Sequence, residues 1–133
     1  VEFARDTVDA GQERLVWNHL KTGLTIDDRG LVVSVATDEG FKTYLIDDVD
    51  LANTETHRAT VMIDADADRL QVILDDQIVL DAADRDYDLS GGREWGWSLG
   101  TAWNRFYDGD VTDFQVTNQF QFADAGTGND LLI

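Results

Sequence analysis

Short runs in which apolar and polar side chains alternate occupy most of this chain, and they restrict its fold more than any other feature. Residues 31–35, 70–74 and 95–99 alternate with a period of two. A period of two places the apolar side chains on one face of an extended strand. Residues 10–20 come closest to a helical spacing but lack a complete apolar face. The pattern therefore predicts an all-β chain, with further strands at residues 43–46, 61–63, 114–117 and 120–122.

The segments between these runs have the composition of tight turns. Residues 27–30, 38–40, 75–76, 90–92 and 108–109 are rich in Asp and Gly. These residues tolerate or supply the backbone geometry that turns require. Strands that follow one another at a spacing of roughly ten residues indicate an antiparallel β-sandwich or barrel.

The composition supports one domain with a real core and excludes two classes of partner. The chain has 133 residues, 43% of them hydrophobic, and no Cys, so disulfides and thiolate metal sites are absent. Its net charge is −17, whereas nucleic acids and anionic membranes attract positively charged proteins. No apolar run approaches the roughly 20 residues that a bilayer-spanning helix needs. We expect no nucleic-acid partner and no membrane insertion.

The acidity is concentrated in one residue type, because Asp supplies 22 of the 27 acidic residues. Asp is a poorer helix former than Glu and belongs in turns, caps and sites for hard cations. One interpretation is a highly soluble acidic surface of the kind found in halophiles. The other is an extracellular protein in millimolar calcium, where a weak site of oxygen ligands still fills.

Two D-x-D-x-D runs are the most conspicuous acidic motifs. Alternate carboxylates of an extended strand lie about 7 Å apart, too far for one ion, whereas a curled loop brings them together. The spacing of an EF-hand is excluded, since Arg69 stands where that loop needs Gly. The runs are either solvated hairpin tips or calcium ligands, and the candidate ligands are Asp64, Asp66, Asp68, Asp84, Asp86 and Asp88.

The residues offer little for catalysis. His19 and His57 are isolated in the sequence, and no nucleophile elbow precedes any of the candidate serines Ser34, Ser90 and Ser98. No Gly-rich phosphate loop is present. We expect a domain that is not an enzyme.

Residues 30–118 resemble the laminin-G-like, concanavalin A-like family of sandwich domains. Residues 57–64 resemble the strand after that family's Trp-His signature, and residues 69–79 its central hairpin. Residues 97–100 and 106–116 resemble two later strands, in the family's order. The resemblance implies a concanavalin A-like jelly roll, which we assign to residues 1–122.

The match has departures and also implies sites. Thr56 stands where the family has Trp, Asp76 stands where its hairpin has Gly, and residues 1–29 match nothing. Related jelly rolls hold a structural calcium where the first and last strands meet. The resemblance therefore implies a site formed by Asp113 with Glu2 or Asp6, near Asp108 and Asp110. Neighbouring carboxylates repel one another, which is a physical reason to expect a cation there.

Aromatic residues near the end of the domain are candidates for stacking on sugar rings. Trp95 and Trp97 share a strand face with Leu99, a face that the family buries, which favours a place in the core for them over a ligand-binding role. Trp103 follows in a loop with the hydrogen-bond donors Asn104 and Arg105, which favours a carbohydrate platform, although it could instead cap the sandwich edge.

Residues 123–133 form a separate segment, a small and polar linker followed by one nonapeptide. Residues 125–133 resemble an RTX repeat, G-G-x-G-x-D-x-U-x, with Ala125 in place of the first Gly. In such repeats Asp130 would offer a calcium oxygen and Leu132 would fill the core of a β-roll. One repeat cannot form that roll alone, and a flexible tail is the alternative.

Together these patterns predict a non-catalytic, calcium-associated (Ca2+) binding module of a larger secreted RTX-type bacterial protein. We expect an extracellular or cell-surface location, a carbohydrate or cell-surface ligand, and neighbouring domains in the same parent chain. The start at Val1, without Met, favours an excised domain or a mature fragment. The alternatives are a structural spacer of an adhesin or exoenzyme and a small glycan-active hydrolase or lyase.

Overall fold

Strands and turns make up the regular structure of the chain wherever it is described. The computed structural model describes residues 1–6, 12–18, 21–90, 96–102, 105–117 and 121–122, with backbone alone for 101–102 and 105–106. Within these ranges it contains twelve strands. They are β1 (Glu2–Arg5), β2 (Glu13–Asn18), β3 (Thr22–Asp27), β4 (Gly30–Thr37), β5 (Gly40–Ile46), β6 (Thr56–Asp64), β7 (Arg69–Leu74), β8 (Gln77–Ala82), β9 (Ser98–Leu99), β10 (Thr101–Ala102), β11 (Arg105–Phe106) and β12 (Gly109–Asp113).

The strands form two five-stranded sheets that pack face to face. Sheet A has the order β12-β1-β6-β7-β8, and sheet B has the order β5-β4-β3-β2-β9. Strands β10 and β11 form a separate two-stranded ladder. Every pairing is antiparallel. The prediction of an antiparallel β-sandwich is therefore confirmed.

The core lies between the sheets and follows the period-two pattern. On sheet B, Leu31, Val33 and Val35 are fully buried, and on sheet A, Leu70 and Val72 are fully buried. Alternate residues of one strand share a face, so these side chains meet across the sandwich. The period-two runs at residues 31–35 and 70–74 are thus confirmed as the inner faces of β4 and β7.

Three of the five predicted turns lie where the composition placed them. Of the other two, residues 91–92 lie outside the described residues and Gly109 begins β12. Residues 28–29 join β3 to β4, residues 38–39 join β4 to β5, and residues 75–76 join β7 to β8. The hairpin expected over residues 69–79 is present, with six residues in each of its strands. Short Asp- and Gly-containing links of this kind connect adjacent antiparallel strands.

Residues 10–20, which come closest to a helical spacing, contain β2, in agreement with an all-β chain. Two expectations about individual segments were wrong. Residues 114–117, expected to form a strand, have no regular structure, because β12 ends at Asp113. Phe122 is not in a strand either. Its ring lies 4.4 Å from the guanidinium carbon of Arg69 on the outer face of sheet A.

The described part of the chain contains no helix, and therefore none long and apolar enough to cross a bilayer. The segment 123–133, with its linker and nonapeptide, lies outside the described residues.

Candidate functional site

An acidic cleft of about 320 Å³ opens at one end of the sandwich. Three segments surround it: the β4–β5 turn, the β6–β7 turn, and residues 83–86 that leave β8. Five of its eight lining residues are acidic and one is a cation, Arg85. The lining residues are Thr37, Asp38, Glu39, Asp68, Ala83, Asp84, Arg85 and Asp86.

The cleft forms because the chain after β8 crosses from sheet A to the end of β4 in sheet B. Tyr87 pairs with Thr37 in an isolated bridge. The Asp38 amide donates to the carbonyl of Asp86 at 3.0 Å, and the Asp88 amide donates to the carbonyl of Ala36, also at 3.0 Å. This crossing places one D-x-D-x-D run beside the other, although they are far apart in sequence.

Hydrogen bonds orient two of the carboxylates in the acidic cleft. Asp68, in a left-handed conformation with φ of 50°, accepts a hydrogen bond from the Tyr87 amide at 3.2 Å. Asp84 accepts one from the Tyr44 hydroxyl at 2.6 Å. The Tyr44 and Tyr87 hydroxyl oxygens lie 2.7 Å apart. Because the Tyr44 hydroxyl donates its hydrogen bond to Asp84, the Tyr87 hydroxyl is the donor in the hydrogen bond between the two tyrosines.

The ionisation of this group follows from those contacts. The hydrogen bond from Tyr44 lowers the pKa of Asp84. Burial raises the pKa of the Tyr44 hydroxyl, and its bond to Asp84 raises it further. At neutral pH the rim of the cleft therefore has a charged Asp84 carboxylate held by a protonated tyrosine.

The donor chemistry of the acidic cleft fits calcium, since all five acidic side chains offer hard oxygen atoms. The positions of those oxygens do not by themselves form a chelate. Within the described ranges, no three His, Cys, Asp or Glu side chains converge as a group that could hold a metal ion. The Ca2+ assignment stays a prediction.

The other members of the two runs have local roles. Asp64 accepts hydrogen bonds from the amides of Asp66 and Ala67, at 3.0 and 3.1 Å, and so caps the β6–β7 turn. Asp88 accepts hydrogen bonds from the amide and the hydroxyl of Ser90, which lower its pKa. Asp66 is exposed. Asp68, Asp84 and Asp86 are thus the members of the runs that line the cleft.

The first and last strands meet as expected, with Glu2 opposite Asp113. The guanidinium of Arg58 lies between them, with Nη2 at 2.8 Å from Glu2 and 3.1 Å from Asp113. The chain thus supplies a cation of its own at this position, which a metal ion would have to displace. Asp6, Asp108 and Asp110 are exposed at the far end of the same strand pair.

The predicted aromatic platform is only partly described. Trp95, Trp103, Asn104 and Asp130 lie outside the described residues, as does the side chain of Arg105. Trp97 is 37% exposed, and its ring lies 5.7 Å from that of Phe114 at an interplanar angle of 60°. Trp97 is therefore a surface aromatic rather than a core residue.

A second cleft of about 680 Å³, which the sequence analysis did not anticipate, lies at the opposite end of the sandwich. One wall is the connector, which we define as residues 47–55 between β5 and β6. The other wall is the β3–β4 turn, with Asp27 and Arg29. We call it the connector cleft. The acidic sequence Asp47-Asp48-Val49-Asp50 is the one local feature that could have indicated this cleft, but an acidic run alone does not distinguish a cleft from a solvated loop.

A buried carboxylate organises the turn at the connector cleft. Asp27 has a side chain only 4% exposed, and it accepts hydrogen bonds from the Arg29 guanidinium at 2.6 and 3.2 Å. Burial alone would raise the pKa of Asp27, but the hydrogen bonds from Arg29 outweigh it and hold that pKa below its usual value. Asp27 is therefore a structural anion rather than a proton donor.

Trp17 is an aromatic residue that the sequence analysis missed. It lies on the outer face of sheet B, with the Arg14 guanidinium carbon 3.8 Å from its ring centroid. Phe41 stacks on it with centroids 5.5 Å apart and an interplanar angle of 17°. Arg14 and Phe41 belong to residue rows on opposite sides of Trp17 along the strands. Both ring faces are thus occupied, which leaves no face for a sugar.

His57 does not have the contacts of a catalytic base. Its Nδ1 lies 2.6 Å from an Asp75 carboxylate oxygen, and its Nε2 lies 2.7 Å from the Asn53 side-chain oxygen. A base that activates a serine needs one nitrogen free to receive a proton from the hydroxyl. The Ser90 hydroxyl instead donates to Asp88.

Comparisons with protein-family models, with curated proteins and with solved structures found no match for this chain. The resemblances to laminin-G-like domains and to an RTX nonapeptide therefore stay predictions that rest on the residues quoted for them.

Proposed function

We propose that this chain is a non-catalytic, calcium-associated binding module of a larger secreted RTX-type bacterial protein. The observation that supports it best is the acidic cleft. Two separate Asp runs and the β4–β5 turn contribute its five carboxylates beside one arginine. The antiparallel sandwich is an architecture in which loops clustered at one end hold ligands.

The physical argument for a cation is electrostatic. Like charges held close together disfavour one another, and a bound divalent ion removes that repulsion. A cation that binds only the native state stabilises it by RT ln(1 + [L]/Kd), about 2.7 kcal/mol when the ion is at a hundredfold excess over Kd. Plain salt also stabilises a chain of charge −17 by screening, so the test must separate the two effects.

The test is a set of thermal melts in EDTA, in millimolar calcium, and in sodium chloride of matched ionic strength. We expect the melting temperature in calcium to be a few degrees higher than that in sodium chloride. A stabilisation of about 1 kcal/mol raises the melting temperature of a domain of this size by that amount. Asp68→Asn and Asp84→Asn should each reduce the difference between the melting temperatures in calcium and in sodium chloride. Asp28→Asn, the same charge change in the connector cleft, is the matched control and should leave it intact.

Superimposed calcium and sodium melts of the unmodified protein would contradict the proposal and leave the acidity as a solvated surface. A calcium effect that disappears in Asp28→Asn but survives in Asp68→Asn and Asp84→Asn would also contradict the assignment. That result would instead assign the calcium ion to the connector cleft.

The ligand we propose is a carbohydrate or another cell-surface group, supported by the exposed aromatic Trp97. Aromatic rings with one open face stack on sugar rings. A glycan array probed in calcium, with unmodified protein and with Trp97→Ala, tests this. We expect binding that the substitution weakens. An array with no signal would favour the structural spacer instead.

A further inference from the structure

β5 is an edge strand of sheet B, so one of its two sides has no neighbouring strand in the described part of the chain. With seven residues it is the longest of the four edge strands of the two large sheets, and its ladder with β4 has no register shift. The other edges are less regular. β9 has two residues, and the ladders of β8 and β12 each contain a register shift. Short strands and bulges keep a sheet edge from pairing, and β5 has neither protection.

Hydrogen bonds around β4 show which backbone groups of β5 face this open side. The Ala36 amide donates to the Lys21 carbonyl at 2.8 Å, and the Ala36 carbonyl accepts from the Asp88 amide at 3.0 Å. Both groups of Ala36 therefore face away from β5, and its ladder partner Phe41 does not bond to β4. Bonded and non-bonded pairs alternate along an antiparallel ladder, so every second residue of β5 directs its amide and carbonyl to the open side. These residues are Phe41, Thr43 and Leu45.

The open side of β5 has acidic groups at both ends. Asp38 and Glu39 precede the strand, Asp47 and Asp48 follow it, and all four are exposed. None of the ion pairs between described residues involves these four carboxylates. The strand between them is mainly uncharged, and Leu45 is 41% exposed. The edge thus combines unpaired backbone groups, an apolar surface and negative charge at each end.

We propose that β5 is a docking site for an extended peptide with basic residues at both ends, which pairs with it as a sixth strand of sheet B. In such strand addition, main-chain hydrogen bonds supply affinity and alternate side chains supply specificity. Apolar side chains of the peptide would meet Phe41 and Leu45, and Lys or Arg at its ends would meet the four carboxylates. Lys42, the one charged residue of β5, disfavours a basic residue opposite the middle of the strand.

A second copy of this chain is the competing occupant, and its charges oppose it. Antiparallel pairing of two β5 strands centred on Thr43 would set Asp38 opposite Asp48 and Glu39 opposite Asp47, at each end of the pair. Like charges directly opposite one another destabilise a ladder. Each copy also has a net charge of −17, which favours association with a basic partner over self-association.

This docking site goes beyond the calcium and carbohydrate proposals and does not depend on them. Asp38 and Glu39 also line the acidic cleft, and Asp47 and Asp48 also line the connector cleft. An ion in either cleft would reduce the charge at one end of β5. Binding is therefore measured in EDTA, where its outcome is the same whether or not the protein has a calcium site.

The probe is an eleven-residue peptide with two lysines at each end and seven uncharged residues between them. Valines stand at the two places that face Phe41 and Leu45, and threonines fill the rest. This sequence is palindromic, so it presents the same side chains to β5 in a parallel or an antiparallel orientation. At about 0.15 M salt we expect it to bind more tightly than the same peptide with glutamates at both ends.

Methylation of single peptide amides separates strand pairing from a general attraction between opposite charges. The amide of the central threonine faces β5 in the proposed register, whereas that of the next threonine faces solvent. We expect methylation of the first amide to weaken binding about tenfold and methylation of the second to change it little. Equal affinities of the two methylated peptides would overturn the proposal.

Amide hydrogen exchange locates the bound peptide on the protein. In the free protein the amides of Lys42 and Tyr44 are bonded to β4 and should exchange slowly, whereas those of Phe41, Thr43 and Leu45 should exchange fast. Saturation with the lysine peptide should protect the three fast amides. Binding that leaves them unprotected would overturn the proposal. A dimer of the free protein in which they are already protected would do so as well, since a second copy would then occupy the edge.

Variants of the protein complete the test. Proline is tolerated on an edge strand where the amide faces solvent, so Thr43→Pro removes one donor, and it should weaken binding about tenfold, whereas Thr43→Val should not. Asp47→Asn/Asp48→Asn keeps the backbone intact and should weaken binding roughly three- to tenfold. Asp66→Asn/Asp76→Asn makes the same charge change at two other exposed turns and should leave binding unchanged. Equal losses in the two double variants would mean that only net charge attracts the peptide, and would overturn the site.

Discussion

Among the described residues, three other than glycine have a positive φ, and all three are aspartates: Asp68 at 50°, Asp75 at 48° and Asp76 at 67°. This conformation costs an L-residue roughly 1–2 kcal/mol, and Asp tolerates it better than most. Asp68 and Asp75 offset the cost through hydrogen bonds to the Tyr87 and Arg58 amides. The Asp76 carboxylate takes part in none of the hydrogen bonds in the described part of the chain, so its strain is uncompensated.

We therefore predict that Asp76→Gly stabilises the protein by a net of about 0.5 kcal/mol. Glycine removes the strain but loses some of that gain to the greater entropy of its unfolded chain. Urea unfolding measures the change. Asp76→Asn removes the same charge but keeps the Cβ and therefore most of the strain, so it should stabilise the protein less than Asp76→Gly does. Asp75→Gly should instead destabilise, since it removes the bonds to His57 and Arg58. A destabilised Asp76→Gly would show that the turn is not strained.

At the scale of the strands, Trp17 and Gly23 form a matched pair on the outer face of sheet B. The two residues are directly opposite in the β2–β3 ladder. A Cβ added at Gly23 would lie 2.1 Å from the Trp17 ring. The ring cannot move aside freely, because Arg14 and Phe41 occupy its two faces. An aromatic that covers a glycine of the neighbouring strand is a known device for fixing register.

Gly23→Ala is therefore predicted to destabilise by about 1–3 kcal/mol, the usual range for overpacking. The same change in a Trp17→Ala background should cost much less, because the methyl group then has space. Equilibrium unfolding of the four proteins forms a double-mutant cycle. Additive costs would mean that the ring and the glycine do not interact.

Alternation of residue types along the chain predicted β4 and β7, whereas that alternation is interrupted in β2 and short in β3. In β2 a bulge between Arg14 and Val16 leaves two successive apolar residues, Leu15 and Val16, both buried. In β3 all residues after Thr22 are buried, including Thr25 and Asp27 on the outer face. The bulge hides the period of two in β2, whereas in β3 Leu24 and Ile26 alternate with Thr25 and Asp27 over four residues only.

The candidate site was predictable in its parts but not in its assembly. The D-x-D-x-D runs were visible as acidic motifs, and Glu2 or Asp6 was expected to meet Asp113, a place that Glu2 takes. Which carboxylates share a cleft depends on the crossing of residues 83–88 to β4, a non-local pairing with no local sequence signal. The same holds for Arg58, which reaches the Glu2–Asp113 pair from the far side of β1.

At the scale of the whole molecule, a buried ion pair joins the two sheets. Arg5 of β1 in sheet A lies 2.6 Å from Glu13 of β2 in sheet B, with side chains 2% and 5% exposed. Arg5 also donates to the Leu51 carbonyl at 2.8 Å. Replacing one member of such a pair by a neutral residue leaves the other charge buried in the protein interior without that ion pair.

Glu13→Gln is predicted to destabilise the protein by about 3–5 kcal/mol. Glu2→Gln, the same substitution in the half-exposed pair with Arg58, should cost less than about 1 kcal/mol. Denaturant unfolding of the two variants makes the comparison directly. Similar costs for both would mean that the Arg5–Glu13 contact does not hold the sheets together.

The pairing of β12 with β1 has a mechanical consequence. Glu2, at the start of β1, lies opposite Asp113, at the end of β12, and β12 is the edge strand of sheet A. Tension applied through these two residues acts across the strands rather than along them. The ladder then opens one pair at a time, as a zipper does, instead of resisting with all its hydrogen bonds together. The Arg58 bridge lies at the end that opens first, so its two ion pairs must break before the ladder opens.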